Sequence, residues 1–239
     1  MDTLVFIHGF LGAAAQWSSQ IAFFGRRFNV ITPDLPGFGA RAGEMGYSSI
    51  EQFADTVLAS LSDQGIEKFH LVGHSMGGMI AQRIAFVASE RLLSKIFYST
   101  GPVGVMPDRF ETIAKSKQRI TEDGIKNAAE RIAASWFLNG ISDPAYGSCA
   151  DMAVLASQPS ALAGLDAMSN WSGIDYLNHM TGKSLVLWGD QDRTYPWPQP
   201  EQLWHGIIGA NLAVLPGAAH AVHLEKPDLF NQIVLDFLL

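Results

Sequence analysis

The sequence FHLVGHSMGG, at residues 69–78, carries the strongest structural signal in the chain. Three of its first four residues are apolar, which is typical of a buried strand. The segment that follows, 76–88, has the apolar spacing of a helix. Between them lies the pattern G-x-S-x-G, centred on Ser75, in the strand–turn–helix context that a nucleophile elbow requires. Such a turn strains the backbone of the serine and favours glycine two residues to either side.

Similar apolar runs recur along the chain and are separated by segments of helical length. The predicted strands cover 4–7, 28–32, 69–72, 95–98, 184–188 and 212–215. The predicted helices of the same rhythm cover 49–61, 76–88 and 227–239. Strands that alternate with helices indicate βαβ units, and hence an α/β protein with a mostly parallel sheet flanked by helices.

This alternation stops after Gly101. Up to about residue 178 the sequence predicts helices with polar faces, of which 109–121 and 124–137 are the clearest. A helical block between two parallel strands predicts a small cap over the carboxyl edge of the sheet. We therefore expect a core formed by residues 1–100 and 179–239, and a helical cap formed by residues 101–178.

Composition limits the classes of partner. The chain has 239 residues, of which 48% are apolar and 16% charged, and its net charge is −7. One domain with a large core fits this length. An acidic balance argues against nucleic acids and anionic membranes as partners. With a single cysteine, Cys149, no signal peptide and no apolar run long enough for a bilayer, the sequence predicts a soluble cytoplasmic protein in which Cys149 is inert.

A serine nucleophile needs a base, and the base needs an acid that orients it. The loops after two later predicted strands supply both in the order Ser, Asp, His. Asp192 follows strand 184–188 and His220 follows strand 212–215, at the carboxyl edge where open α/β sheets place their sites. Asp190 and His223 are the alternatives. We favour Asp192, since Asp190 lies closer to the strand end, and we interpret His223 as a residue that packs the loop.

Four further segments carry a family resemblance. They are HGFLG at 8–12, PDLPGFG at 33–39, GDQD at 189–192 and HAVHLEKP at 220–227. Together with the elbow, and in this order, they resemble the motifs of the α/β-hydrolase superfamily from the first strand to the last helix. The small antiparallel strands that open the sheet in that family are missing here, so the resemblance implies an α/β-hydrolase fold with an abbreviated edge.

The resemblance also implies roles for particular residues. Ser75, Asp192 and His220 would form the catalytic triad. The backbone N–H groups of Phe10 and Met76 would form the oxyanion hole. These roles predict a serine hydrolase that acts on carboxylic esters or lactones of small apolar substrates through an acyl-enzyme. We expect no cofactor, and no Cys/His or His/carboxylate spacing predicts a metal site.

Three other functions remain as alternatives. The stretch GHSMGGMIAQ at 73–82 resembles 3-oxoadipate enol-lactonases. Hydrolases of C–C bonds in vinylogous diketones are similar too, but they commonly carry Trp after the catalytic histidine, where this chain has Ala221. A non-catalytic binding protein on the same fold is the third alternative, and the intact set of motifs argues against it. The dehalogenase and epoxide-hydrolase branches use aspartate where this chain has Ser75.

The remaining predictions concern the surroundings of the site. Bulky side chains from the cap and the loops are candidate walls of a restricted apolar pocket of a few hundred Å³ that accepts short acyl groups. These candidates are Phe10, Met76, Trp136, Phe137, Trp171, Tyr195 and Trp197. We interpret His8 as orienting the loop at 8–12, Asp34 as holding its turn and His74 as supporting the site.

Overall fold

The computed structural model of the protein describes residues 1–106 and 109–239. Six parallel strands form one sheet in the order β2-β1-β3-β4-β5-β6. They are β1 (Thr3–Ile7), β2 (Asn29–Ile31), β3 (Phe69–His74), β4 (Leu92–Tyr98), β5 (Ser184–Gly189) and β6 (Asn211–Leu215). Each predicted strand is present, and the predicted α/β-hydrolase fold is confirmed.

The helices connect these strands and flank the sheet. They are α1 (Ser18–Phe24), α2 (Ile50–Asp63), α3 (Met76–Val87), α4 (Ile113–Ala134), α5 (Tyr146–Ala153), α6 (Gln158–Ser169), α7 (Pro198–Gly206), α8 (Val222–Glu225) and α9 (Pro227–Leu238). Helix α2 begins where predicted, because the Ser49 side chain accepts the N–H of Gln52 and caps its first turn.

The start of α4 differs from its prediction. The sequence predicts a helix from residue 109, but α4 begins at Ile113, where the side chain of Thr112 accepts the N–H of Lys115. Residues 107 and 108 lie outside the described residues. The predicted break before residue 124 is present as a kink, since Gly124 has φ 80° and ψ 159°.

The core occupies both faces of the sheet. Successive residues of a strand point to opposite faces. In β1, Leu4 and Phe6 accordingly pack with Trp17 on one face, whereas Val5 and Ile7 join a second cluster on the other. All four strand side chains are fully buried, which explains why this strand is an unbroken apolar run.

The helices between β4 and β5 contact the carboxyl edge of the sheet. Helix α6 approaches so closely at Gly164 that a side chain there would press on the ring of Phe10. Ser160 of the same helix accepts the N–H of Gly46 at 3.0 Å. Among the residues that the structure describes, no helix combines the length and the apolar character needed to cross a bilayer.

Candidate active site

Ser75 occupies the turn between β3 and α3. Its backbone has φ 57° and ψ −118°, in the left-handed region that side chains rarely adopt. The neighbouring glycines make this turn possible. A side chain at Gly73 would collide with the carbonyl of Gly77, and one at Gly77 would collide with that of Ile7. The turn therefore presents Ser75 at the end of β3 with the amino terminus of α3 directly behind it.

Asp192 and His220 form a buried pair in the loops after β5 and β6. His220 Nδ1 lies 2.9 Å from Asp192 Oδ2. The other carboxylate oxygen, Oδ1, accepts the N–H of Thr194 at 2.8 Å and that of Tyr195 at 3.1 Å. These two bonds fix the carboxylate, so Nδ1 of His220 carries the proton and Nε2 is free to accept one.

The two alternative residues have other partners. Asp190 Oδ1 accepts the N–H of Gly217 at 2.7 Å and stabilises the loop after β6. His223 is fully buried, its ring lies 4.2 Å from that of Trp17, and its Nδ1 lies 3.0 Å from the Tyr98 hydroxyl. Burial lowers the pKa of His223 to about 3, and it is therefore neutral.

A buried polar layer lies behind His220. His74 Nε2 donates to the carbonyl of His220 at 3.0 Å, and the Tyr98 hydroxyl lies 3.2 Å from the same oxygen. Burial, followed by the charges of His220 and His223, lowers the pKa of His74 well below its ordinary value. No sequence motif predicts this position of Tyr98. Its one signal in the sequence is a hydroxyl side chain at the end of an apolar strand.

Glu225 joins three segments around this layer. Its Oε2 accepts the N–H of Ala219, next to His220, and its Oε1 accepts the N–H of Leu138, just beyond α4, each at 2.7 Å. Burial raises the pKa of Glu225, and these two N–H groups act in the opposite direction. The carbonyl of Trp136 also accepts the N–H of Ala221 at 2.9 Å. The segment after α4 is thus attached to the loop that holds His220.

Hydrogen bonds of His8 and Asp34 hold the loop at 8–12 and the turns next to it. His8 is fully buried, and its Nε2 accepts the N–H of Leu35 at 3.0 Å, which leaves Nδ1 to donate to the carbonyl of Gly9 at 2.8 Å. Asp34 accepts the N–H groups of Ala14 at 2.7 Å and Ala40 at 3.1 Å. Both residues therefore stabilise turns, as their interpretation from the sequence has it.

A small cavity lies beside Ser75. Its lining consists of Gly9, Phe10, Gly12, Gln16, His74, Ser75, Trp136 and His220, and its volume is about 10 Å³. One water molecule needs roughly that much space. Within the described residues, Ser75 Oγ forms no hydrogen bond with His220, although both residues line this cavity. The N–H groups of Phe10 and Met76 likewise have no acceptor among those residues.

The cavity beside Ser75 is smaller than the predicted pocket and has fewer of the predicted walls. The sequence predicts a space of a few hundred Å³ with seven walls, but the cavity is far smaller, and only Phe10 and Trp136 of that set line it. Phe137 and Trp171 are buried in the core, and Trp197 packs on Trp188 with their ring centres 5.2 Å apart. These three aromatic side chains pack against other parts of the protein and do not line the cavity.

Two of the predicted walls lie next to the site without lining the cavity. Met76 is fully buried in α3. Tyr195 stacks on His220 with an angle of 12° between the rings and 5.7 Å between their centres. Burial raises the pKa of Tyr195 to about 12, while Arg109 and the side chains of Ser75 and Thr100 act in the opposite direction. Its hydroxyl is therefore protonated beside the serine.

No alternative chemistry emerges from the rest of the described chain. Burial raises the pKa of the Cys149 thiol to about 12, so it remains protonated. No group of three His, Cys, Asp or Glu side chains within residues 1–106 and 109–239 is arranged to hold a metal ion. A groove of about 530 Å³ runs between β6 and α9, but it lies at the amino-terminal end of β5 and β6, and its lining has no serine, cysteine or histidine.

A parallel sheet with a serine at a strand-to-helix elbow defines a class of protein, the α/β hydrolases. Comparison with known proteins leads to the same class. The sequence matches the model of the alpha/beta hydrolase family over residues 4–233. The chain belongs to this family.

Similar proteins within the class have several activities by name. A pimeloyl-(acyl-carrier protein) methyl ester esterase of Yersinia enterocolitica is 29% identical over 98% of this chain and 92% of its own length. A 2-hydroxy-6-oxo-6-phenylhexa-2,4-dienoate hydrolase of Burkholderia cepacia is 27% identical over 99% of this chain and 87% of its own length. The crystal structure of the enol-lactonase from Burkholderia xenovorans LB400 superposes with a TM-score of 0.90 at 21% identity, covering 99% of this chain and 91% of that chain. This last likeness concerns the fold.

Proposed function

We propose that this protein is a cofactor-free serine hydrolase that cleaves carboxylic ester or lactone bonds of small apolar substrates. One observation carries the proposal. Ser75 stands at the elbow with strained backbone angles, on a cavity that it shares with the imidazole of a buried Asp192–His220 pair. A hydroxyl, a base and an acid that orients the base are the three parts that nucleophilic acyl transfer requires.

In the first half of the reaction, Ser75 Oγ attacks the carbonyl carbon while its proton passes to His220 Nε2. The carbonyl π electrons move onto oxygen, and this oxyanion accepts the N–H groups of Phe10 and Met76. When the tetrahedral intermediate collapses, the bond from the carbonyl carbon to the alcohol oxygen breaks. The leaving alcohol takes the proton from His220, and an acyl ester on Ser75 remains.

In the second half, His220 Nε2 accepts a proton from water as the water oxygen attacks the acyl carbon. A second oxyanion forms in the same position. Its collapse breaks the bond between the acyl carbon and Ser75 Oγ, which regains the proton from His220. The carboxylic acid leaves, and no electron is gained or lost.

The charges around His220 suit this role. Asp192 stabilises the imidazolium that forms transiently. His74 and His223 lie close by, but burial lowers the pKa of both, so they remain neutral and add no positive charge that would oppose it. His220 is thus the histidine that combines access to the cavity with a carboxylate partner.

We further propose that residues 101–178 act as the cap of this site and exclude large substrates. Trp136 lines the cavity, and α6 packs on Phe10. A cavity of about 10 Å³ holds one small group, so a substrate displaces cap side chains as it enters. Such an arrangement favours short acyl groups.

Hydrolysis of a C–C bond is the second candidate. The similarity to the dienoate hydrolase of Burkholderia cepacia favours it. Ala221, directly after His220, counts against it through the resemblance noted in the sequence. A panel of p-nitrophenyl esters, lactones and vinylogous diketones separates the two candidates by their relative kcat/KM.

A fluorophosphonate probe tests the nucleophile directly. We expect the probe to label the wild-type protein and to leave Ser75→Ala unlabelled. Ser99→Ala is the matched control, because Ser99 is a buried serine with positive φ at the end of the neighbouring strand. We expect this variant to be labelled and to hydrolyse esters. Ester turnover by Ser75→Ala close to that of the wild type would exclude the proposed mechanism.

A further inference from the structure

One polar side chain in the lining of the cavity has no role in the mechanism above. Gln16 lies in the short turn that follows the 8–12 loop, and it is 3% exposed. It lines the cavity beside Ser75. Burying an amide so deeply is costly unless its polar atoms find partners.

The orientation of this amide is fixed by its neighbours. Gln16 Oε1 accepts the N–H of Ala13 at 3.1 Å. If the amide were turned over, its NH₂ group would face that N–H, donor against donor. Gly12 permits this position, because a side chain there would collide with Gln16 Oε1. The acceptor end is thus used by the protein, and the donor end points elsewhere.

The donor end has no acceptor in the protein. Gln16 Nε2 donates no hydrogen bond among the described residues. It also differs from the enclosed orphan atoms, such as Gln20 Oε1 and Gln82 Oε1, because it keeps contact with open space. Because Gln16 lines the cavity and its Oε1 is held by the N–H of Ala13, Nε2 is the polar atom of this side chain that remains for a group in the cavity.

The size of the cavity determines which atom that is. About 10 Å³ accommodates one oxygen-sized group. Ser75, Phe10 and Gln16 all line this space, so the carbonyl oxygen of an ester bound to Ser75 lies within reach of the Gln16 amide. We infer that Gln16 Nε2 donates a third hydrogen bond to the oxyanion, beside the N–H groups of Phe10 and Met76. This inference rests on the proposed function.

Two substitutions separate donation from packing. Gln16→Met keeps the approximate length of the side chain and removes the donor. Gln16→Glu keeps the oxygen that accepts the Ala13 N–H, and therefore keeps the local fold, but replaces the donor with an acceptor. Loss of one oxyanion donor typically lowers kcat by about 10²- to 10³-fold. We expect a fall of that order for Gln16→Met, little change in KM, and a larger fall for Gln16→Glu.

A second measurement distinguishes this role from a structural one. A trifluoromethyl ketone forms a tetrahedral adduct with a serine and thereby places an oxyanion in the cavity. Its inhibition constant should rise in Gln16→Met by about the factor by which kcat/KM falls. Gln20→Met is the control, since Gln20 is also a fully buried glutamine but bonds the carbonyl of His223 and lies outside the cavity lining. We expect this control to have a lower melting temperature than the wild type and the same inhibition constant for the ketone.

The outcomes are separable. A wild-type protein that hydrolyses neither esters nor lactones overturns the proposed function. A wild-type protein whose ester turnover depends on Ser75, together with a Gln16→Met variant that is folded and retains kcat, overturns the inference alone. An increase in KM at constant kcat, with unchanged ketone inhibition, also overturns it, because Gln16 would then contact only the ground state.

Discussion

Replacing Asp192 with asparagine tests the proposed pair at its most sensitive point. The carboxylate accepts three hydrogen bonds, two at Oδ1 from backbone N–H groups and one at Oδ2 from His220 Nδ1. Asparagine has a single carbonyl oxygen. Turning that oxygen toward His220 gives up two bonds, whereas turning it toward the loop gives up one. We therefore expect the amide NH₂ to face His220.

This orientation reverses the tautomer of His220. Nδ1 now accepts a hydrogen bond from the amide NH₂. The single ring proton therefore resides on Nε2, the atom that must be free to act as the base. The same kind of substitution in a serine protease lowers kcat by about 10⁴-fold, which corresponds to about 5.4 kcal/mol. We expect kcat/KM of Asp192→Asn to fall by about three to four orders of magnitude in a p-nitrophenyl ester assay.

Asp190→Asn is the matched control, because it changes the same atoms two residues away. Asp190 accepts one N–H, that of Gly217, and asparagine retains an oxygen for it. We expect less than about a tenfold loss of kcat/KM. Circular dichroism should show both variants folded. Equal losses in the two variants, or a larger loss in Asp190→Asn, would refute the assignment of Asp192.

Three further predictions concern stability, selectivity and metals. The pKa of His223 falls from 6.5 to about 3 on folding, so its contribution to stability is present above pH 6.5 and is lost as pH falls toward 3. Between pH 8 and pH 5 the free energy of unfolding should therefore drop by about 2 kcal/mol through this residue. In urea titrations, His223→Gln should lack this part of the drop. An equal drop in both proteins would contradict this. Trp136→Ala should enlarge the cavity and raise the kcat/KM of longer acyl esters relative to the acetate, by up to about fourfold for each methylene that finds apolar surface; an unchanged chain-length profile would place the acyl group elsewhere. EDTA should leave kcat/KM unchanged, and activity lost to EDTA and restored by a divalent ion would contradict a metal-free mechanism.

The parts of the molecule that the sequence predicts are those that local patterns determine. The run at 69–72 is apolar because both faces of β3 are buried, and the glycines around Ser75 are required by the turn itself. Asp192 and His220 could be placed near each other because parallel strands end at one edge of the sheet. The distance of 2.9 Å between His220 Nδ1 and Asp192 Oδ2 depends on the conformations of two loops, which the sequence does not predict.

The parts that the sequence does not predict depend on contacts between distant segments. Tyr98 lies 122 positions before the carbonyl of His220 that it approaches, and no spacing rule links the two residues. In the sequence, Gln16 is a polar residue that follows three alanines, and nothing predicts its orientation. That orientation depends on the N–H of Ala13 and on the space that Gly12 leaves for the amide. Two of the aromatic residues predicted as pocket walls, Phe137 and Trp171, are buried in the core instead, because composition does not distinguish a side chain that lines a space from one that occupies it.

The two hydrogen bonds of Glu225 connect the segment beyond α4 to the loop that holds His220. One carboxylate oxygen holds Leu138, beyond α4, and the other holds Ala219, immediately before His220. A movement of the Trp136–Leu138 segment that widens the cavity pulls on the carboxylate that positions the histidine loop. The positions of this segment and of the loop that holds His220 are therefore linked through a single side chain.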